Sequence, residues 1–138
     1  MKDSVILQHQ DNMSFEVTVN GHKIMIDSSE AFGGNDSGPR PKSLMLVALA
    51  GCTGMDVVSI LNKMRVEYDD FQVKVDGNIT EEHPKHFDNM HITYILKGKN
   101  IQREKVEKAI SLSQERYCGV SFTYKQVMKL THELVIEE

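Results

Sequence analysis

The fold is decided by the stretch SLMLVALAGCTGMDVVSILNKMR, residues 43–65. It contains no proline, and Pro41 stands just before it, where the first turn of a helix accepts a proline. Apolar residues occupy nearly every side of this helix, which predicts a central, buried position. Gly51 and Gly54 each cost roughly 1 kcal/mol relative to alanine inside a helix. They therefore suggest that another backbone approaches the helix closely near Cys52.

Strand and turn signals lie on both sides of this helix. Asn20-Gly21 gives a strong hairpin signal between two alternating segments, and residues 28–40 are predicted as loop. The predicted strands are 4–9, 13–19, 22–27, 71–80, 89–96 and 127–136, and a second helix is predicted over 102–117. The order is strands, helix, two strands, helix, strand. This is an α+β pattern without the repeated βαβ units of a parallel sheet, in a single domain over residues 1–138.

Composition excludes several classes of protein. The chain has 138 residues, of which 40% are hydrophobic and 26% charged, as in ordinary globular proteins. Its net charge of −4 argues against general nucleic-acid binding. No run of eighteen apolar residues and no signal-peptide hydrophobic region is present. We therefore expect a cytoplasmic protein that has neither nucleic acid nor membrane as a partner.

Cys52 and Cys118 are the only cysteines, and residues 53 to 117 separate them. No CxxC redox motif or zinc knuckle is available, so joint chemistry requires the fold to bring the two together. Two interpretations stay open. Each cysteine is either a small buried hydrophobic residue, or part of a reactive dithiol of the kind that cytosolic proteins use for catalysis or sensing.

Four short motifs together resemble the OsmC/Ohr family of osmotically and organic-hydroperoxide-induced proteins. They are GPRPKSL at 38–44, ALAGCT at 48–53, HPKHF at 83–87 and YCGVS at 117–121, and the likeness covers residues 13 to 137, in a divergent OsmC-like branch. The resemblance implies an α+β fold in which two long central helices are wrapped by curved antiparallel sheets. It also implies an intertwined homodimer with sites near the subunit interface.

The resemblance further implies a thiol-dependent peroxidase. Cys52 would attack an organic hydroperoxide or hydrogen peroxide and become a sulfenic acid, Cys118 would resolve it as a disulfide, and an external thiol or dithiol would regenerate the enzyme. The chain departs from the peroxidase pattern in two places. Lys42 stands where those relatives carry a glutamate, and no arginine precedes Arg40. Arg40 or Lys42 could supply the cation instead, and Arg40 is the candidate for cationic assistance.

The alternative is a non-enzymatic dimer that binds a small apolar ligand or senses oxidants stoichiometrically. Turnover with alkyl hydroperoxides distinguishes the two functions.

Asp56 lies one helical turn beyond Cys52, where an ionised carboxylate would raise the pKa of the thiol. No cofactor or metal is expected. His83, His86, Asp88 and His91 are possible ligands, but the HxxH pair His83/His86 lies around a proline in a loop, not on a helix, and no fourth ligand is evident.

Overall fold

The computed structural model describes all 138 residues, which divide into two compact units, residues 1–45 and 46–138. The first unit contains a three-stranded antiparallel sheet in the order β1-β2-β3. Its strands are Val5–His9, Phe15–Val19 and His22–Ile26. The predicted hairpin is confirmed. Asn20 and Gly21 both have positive φ, 50° and 77°, as a two-residue type I′ turn requires.

The loop after β3 is organised around the Asp27 carboxylate, which is almost completely buried. Its Oδ1 accepts the Ser28 N–H at 2.7 Å, and its Oδ2 accepts the Ser37 hydroxyl at 2.7 Å. The N–H groups of Asn35 and Ser37 also donate to Oδ2, each at 3.1 Å. The Ser37 hydroxyl, opposed by burial and helped by these backbone N–H groups, lowers the pKa of Asp27 to about 2.

The α-helices are α1, Ser43–Lys63, which continues from the first unit into the second, α2, Arg103–Leu112, and α3, Gly119–Lys125. The strands of the second unit are β4, Asp70–Ile79, β5, Phe87–Lys97, and β6, Lys129–Glu137. The predicted helix over 102–117 is thus too long as an α-helix. Its last turn, Ser113–Tyr117, is a π-helix, and α3 follows it as a helix that the sequence pattern did not predict.

The second sheet has the order β4-β5-β6 and is mixed. Strands β4 and β5 pair antiparallel, but β5 and β6 pair parallel over nine residues, from Asn89↔Lys129 to Lys97↔Glu137. The expectation of purely antiparallel sheets is therefore wrong here. The connection through α2, the π-turn and α3 is long enough to return the chain to the same end of the sheet, as parallel pairing requires.

Only one stripe of α1 is buried within the chain: Leu49, Thr53, Val57 and Leu61. They pack into a core formed largely by β5 and α2, with Tyr94 as its largest fully buried side chain. The prediction of a helix buried all round is wrong for the single chain, since Val47 and Met55 are 61% and 76% exposed. By length and composition alone α1 would also suit a membrane span, a test that core helices of soluble proteins pass as well.

The predicted close approach of a backbone at Gly51 and Gly54 is not found within the chain. A Cβ at Gly51 would meet nothing within 4 Å, and one at Gly54 would lie 3.4 Å from the Val73 side chain, an ordinary contact. The small residues of this segment leave its surface open instead.

Candidate active site

The fold brings Cys52 and Cys118 together. Their sulfurs and a carboxylate oxygen of Asp56 all lie within 4.8 Å of one another. Cys52 lies in the middle of α1 and is partly exposed, whereas Cys118 is only 3% exposed. Both are free thiols. Two cysteines that lie far apart in the sequence, with residues 53 to 117 between them, therefore form one dithiol beside a carboxylate.

The π-turn at the end of α2 positions Cys118. The Cys118 N–H donates to the Ser113 carbonyl, five residues back, at 2.8 Å. This wider turn ends the helix and leaves Cys118 as the N-cap of α3, where its sulfur accepts the Ser121 N–H at 3.3 Å. Single π-turns of this kind are frequent at functional sites. The same turn directs Ser113 and Gln114 into the interior, where both are buried.

A buried polar chain links these elements beneath the dithiol. The Thr53 hydroxyl oxygen lies 2.6 Å from the Tyr94 hydroxyl and 2.8 Å from the Ser113 hydroxyl. Ser113 donates to Asp56 Oδ2 at 2.9 Å. Gln114 Nε2 donates to Tyr94 at 3.0 Å and to Thr53 at 3.2 Å. The chain thus connects β5, α1 and the π-turn, and it ends on the carboxylate next to both sulfurs.

The donor and acceptor of each hydrogen bond in this network can be assigned from the bond to Asp56, because a carboxylate only accepts. Since Ser113 gives its single proton to Asp56, Thr53 must donate to Ser113, and Tyr94 must then donate to Thr53. The protons run Tyr94 to Thr53 to Ser113 to Asp56. A partly buried carboxylate that accepts such a hydrogen bond is held in one orientation. The network therefore fixes the position of Asp56 relative to the dithiol.

Burial raises the pKa of the Cys52 thiol, and the nearby Cys118 and Asp56 raise it further. The Val120 backbone N–H acts in the opposite direction by donating to the sulfur. The predicted effect of Asp56 on Cys52 is confirmed. Burial likewise raises the pKa of Tyr94, so its hydroxyl keeps its proton at neutral pH.

A small cavity of about 170 Å³ lies against Cys118. Its lining includes Phe122, which is 70% exposed, and Lys125, whose ammonium donates to the Gln114 carbonyl at 2.8 Å. Although it lies at the end of a helical segment, Cys118 is the less accessible of the two cysteines. Cys118 caps a further helix, and Cys52 is the more exposed of the two sulfurs.

Arg40 lies in the first unit, where its guanidinium donates to Asp36 Oδ1 at 2.7 Å and to the Gly38 carbonyl at 2.9 Å. Its assistance to Cys52 stays a prediction. Of the histidines, His91 has both ring nitrogens engaged, by Thr131 at 2.7 Å and by Glu133 at 2.8 Å.

Thr53, Tyr94, Ser113 and Gln114 were not found from the sequence. Each lies in a segment whose pattern indicates only core, and threonine or tyrosine there predicts no particular partner. The one available signal was Thr53, a polar residue on the stripe that Leu49, Val57 and Leu61 complete at spacings of four.

The model of the family described as OsmC-like protein matches residues 33–133. The chain belongs to the OsmC-like family. Among OsmC-like relatives, Protein YhfA of Escherichia coli K12 is 33% identical over 115 residues, which are 83% of each chain. The family resemblance of the sequence motifs is thereby confirmed.

Solved structures confirm the OsmC-like fold. A hypothetical protein from Aquifex aeolicus VF5 aligns over 100% of this chain and 99% of its own, with a TM-score of 0.83 and 30% identity. The organic hydroperoxide resistance protein OhrB of Bacillus subtilis aligns over 97% and 98%, with a TM-score of 0.62 and 18% identity. The second likeness is one of fold alone.

Proposed function

We propose that this OsmC-like protein is a cysteine-based peroxidase that reduces organic hydroperoxides or hydrogen peroxide in the cytoplasm. The observation that carries the proposal is the separation of Cys52 and Cys118, whose sulfurs lie no more than 4.8 Å apart in the reduced chain. A disulfide bond of about 2.0 Å needs a closing movement of less than about 3 Å, which side-chain rotation and a small backbone shift supply. The name of OhrB as a hydroperoxide resistance protein agrees with this chemistry.

The roles of the two cysteines follow from their exposure. Cys52 is partly exposed and would attack the peroxide, while the buried Cys118 would resolve the resulting sulfenic acid. The Cys52 sulfur attacks the terminal peroxide oxygen, so an S–O bond forms and the O–O bond breaks. The thiol proton passes to the leaving alkoxide, giving an alcohol and a Cys52 sulfenic acid. Asp56, held by Ser113, lies close enough to relay this proton.

Resolution and reduction complete the cycle. The Cys118 sulfur attacks the sulfenic sulfur, an S–S bond forms, and the hydroxyl leaves as water with the Cys118 proton. An external dithiol then reduces the disulfide by two-electron exchange and becomes a disulfide itself. Each turnover thus consumes one peroxide and one dithiol, and the protein returns to the free-thiol state seen here.

A homodimer forms part of this proposal. The exposed apolar side chains of α1, with Val47 and Met55 as the clearest cases, form a face that a soluble single chain would not leave in water. A second copy that packs on this face would bury it and bring further side chains to Cys52, among them the candidate cation Arg40. Analytical ultracentrifugation measures the state, and Val47→Asp should dissociate the dimer.

The test of function is peroxide consumption by the reduced protein with a dithiol reductant. We expect turnover in the wild-type protein, none in Cys52→Ser, and in Cys118→Ser oxidation of Cys52 that forms no disulfide within the chain, so that the external dithiol must reduce the sulfenic acid directly. Lys63→Ala, at the exposed C-terminal end of the same helix, serves as the matched control and should keep the wild-type rate. Unchanged turnover in Cys52→Ser would reject the proposal.

A second candidate function has one supporting observation. An open groove of about 560 Å³ runs along α1 and β4, lined mainly by apolar residues: Gly51, Gly54, Met55, Val58, Phe71 and Val73. In this version the protein binds a small apolar ligand or becomes oxidised once, without turnover. Binding of a fluorescent fatty acid that Gly54→Leu abolishes, together with no peroxide turnover, would favour it. Multiple turnovers with an alkyl hydroperoxide would exclude it.

A further inference from the structure

The three donor atoms of Cys52, Asp56 and Cys118 are close to the spacing of a metal site. In a tetrahedral zinc site with Zn–S bonds of about 2.3 Å, two sulfur ligands lie about 3.8 Å apart. The three donor atoms here all lie within 4.8 Å of one another without any ion. In the same geometry a sulfur and a carboxylate oxygen lie about 3.5 Å apart, so movements of no more than about 1.3 Å would bring all three atoms to bonding distance of one ion.

Asp56 is already oriented as a metal-bound carboxylate would be. Its Oδ2 accepts a hydrogen bond from Ser113, whose hydroxyl in turn accepts one from Thr53. Carboxylates that bind metals are commonly held in this way by a second layer of hydrogen bonds. Asp56 takes part in none of the ion pairs of the chain, so no lysine, arginine or histidine neutralises it.

A backbone N–H group also stabilises negative charge at the dithiol. The Cys118 sulfur accepts the Ser121 N–H at 3.3 Å. Such hydrogen bonds stabilise negative charge on sulfur, which a metal-bound thiolate also carries. Two thiolates and a carboxylate bring three negative charges into a partly buried space. A divalent cation would neutralise most of that charge.

We propose that Cys52, Asp56 and Cys118 of the reduced protein bind one thiophilic divalent cation, zinc, with its fourth position open to water. Two sulfur ligands and one oxygen in tetrahedral arrangement suit zinc, whereas magnesium and calcium select oxygen alone. Binding releases the two thiol protons to solvent. The sequence alone indicated no metal here, because the ligands come from segments that are far apart and lack any metal-binding spacing.

The consequence is a second state of the dithiol. The bound ion occupies the lone pairs with which Cys52 would attack a peroxide, so the metal-bound protein is protected from oxidation. Formation of the Cys52–Cys118 disulfide removes both sulfur ligands and releases the ion. The proposal does not depend on turnover, because a dithiol that never reduces peroxide would bind zinc equally well.

The test uses the reduced 138-residue protein without oxygen and without peroxide. Cadmium replaces zinc as a probe, since its bond to thiolate gives a sulfur-to-metal absorption band. We expect the band to saturate at one ion per chain, and zinc to compete for the same site against a chromophoric chelator. Cys52→Ser and Cys118→Ser should each lose the band. Ser113→Ala, which releases the carboxylate without removing a ligand, should weaken zinc binding roughly tenfold.

Two further measurements keep the test decisive if a cysteine variant folds poorly. In the wild-type protein, zinc should slow alkylation of Cys52 by at least tenfold, and prior alkylation should abolish the cadmium band. The double variant His83→Asn, His86→Asn is the matched control, because it removes the histidines most available to an adventitious ion. Binding lost in this control but kept in Cys52→Ser would overturn the proposal, as would a stoichiometry of one ion per two chains.

Discussion

The buried polar chain predicts an asymmetry between two substitutions that conserve side-chain volume. Thr53→Val replaces a hydroxyl by a methyl group, and Tyr94→Phe removes a hydroxyl from a ring. Both side chains are fully buried. The hydroxyls touch each other at 2.6 Å, so a simple count of contacts would give the two changes similar effects.

The donor directions give different effects. In Thr53→Val the Tyr94 hydroxyl loses its acceptor, and its proton stays buried without a partner. Leaving a buried donor unsatisfied costs roughly 1–3 kcal/mol, in addition to a net loss of about 1 kcal/mol for the bond itself. In Tyr94→Phe the Gln114 amide still donates to the Thr53 hydroxyl, and Thr53 still donates to Ser113. Neither loses its hydrogen-bond acceptor. We therefore expect losses of unfolding free energy of about 3 kcal/mol for Thr53→Val and about 1 kcal/mol for Tyr94→Phe.

Urea unfolding followed by far-ultraviolet circular dichroism measures this difference, under reducing conditions and at one protein concentration. At about 4 °C per kcal/mol for a chain of this size, melting temperatures should fall by roughly 12 °C and 4 °C. Thr53→Ser is the matched control, since it keeps the hydroxyl and loses only a methyl group. An equal or larger effect of Tyr94→Phe would show that the assigned direction is wrong.

Three further predictions concern other parts of the chain. Folding lowers the pKa of Asp27 from 3.8 to about 2, so its contribution to stability is full above pH 4 and is lost as the pH falls toward 2. Asp27→Asn should remove this acid dependence, measured by the amide hydrogen exchange of residues 28–37. Gly77→Ala places a Cβ 2.7 Å from the Phe87 ring and should cost about 1–3 kcal/mol in urea unfolding. Gly51→Ala, which meets open space inside α1, should instead stabilise the single chain by up to about 1 kcal/mol. In Cys118→Ser, one equivalent of peroxide should leave Cys52 as a sulfenic acid that a cyclic diketone labels, detected by mass spectrometry; absence of the label would contradict the resolving role of Cys118.

Local pattern was sufficient for most of the secondary structure. The alternation on both sides of Asn20-Gly21 predicted the hairpin, and the proline-free apolar stretch predicted α1 with the correct first residue, Ser43. These signals work because each depends on neighbouring residues only. The pattern failed after residue 112, where a π-turn and a short helix replace a continuous α-helix, since hydrophobic periodicity does not distinguish these from a longer helix.

The candidate site was predicted in part. The family motifs indicated Cys52 and Cys118, and the helical spacing indicated that Asp56 raises the pKa of Cys52. The polar partners were not predicted, because Thr53, Tyr94 and Ser113 come from three elements whose contact depends on how those elements pack. Nor could the parallel pairing of β6 be predicted, since periodicity gives a strand but not the direction of its neighbour.

The sequence by itself determined the α+β class, the family and the two cysteines of the candidate site, because these depend on composition, local spacing and motif. Only the tertiary structure decided that the two sulfurs meet within 4.8 Å, that the more exposed one is Cys52, and that a carboxylate completes the group. The physical reason is the packing of α1 against the π-turn. That contact joins residues far apart in the chain, and it turns three separate side chains into one site.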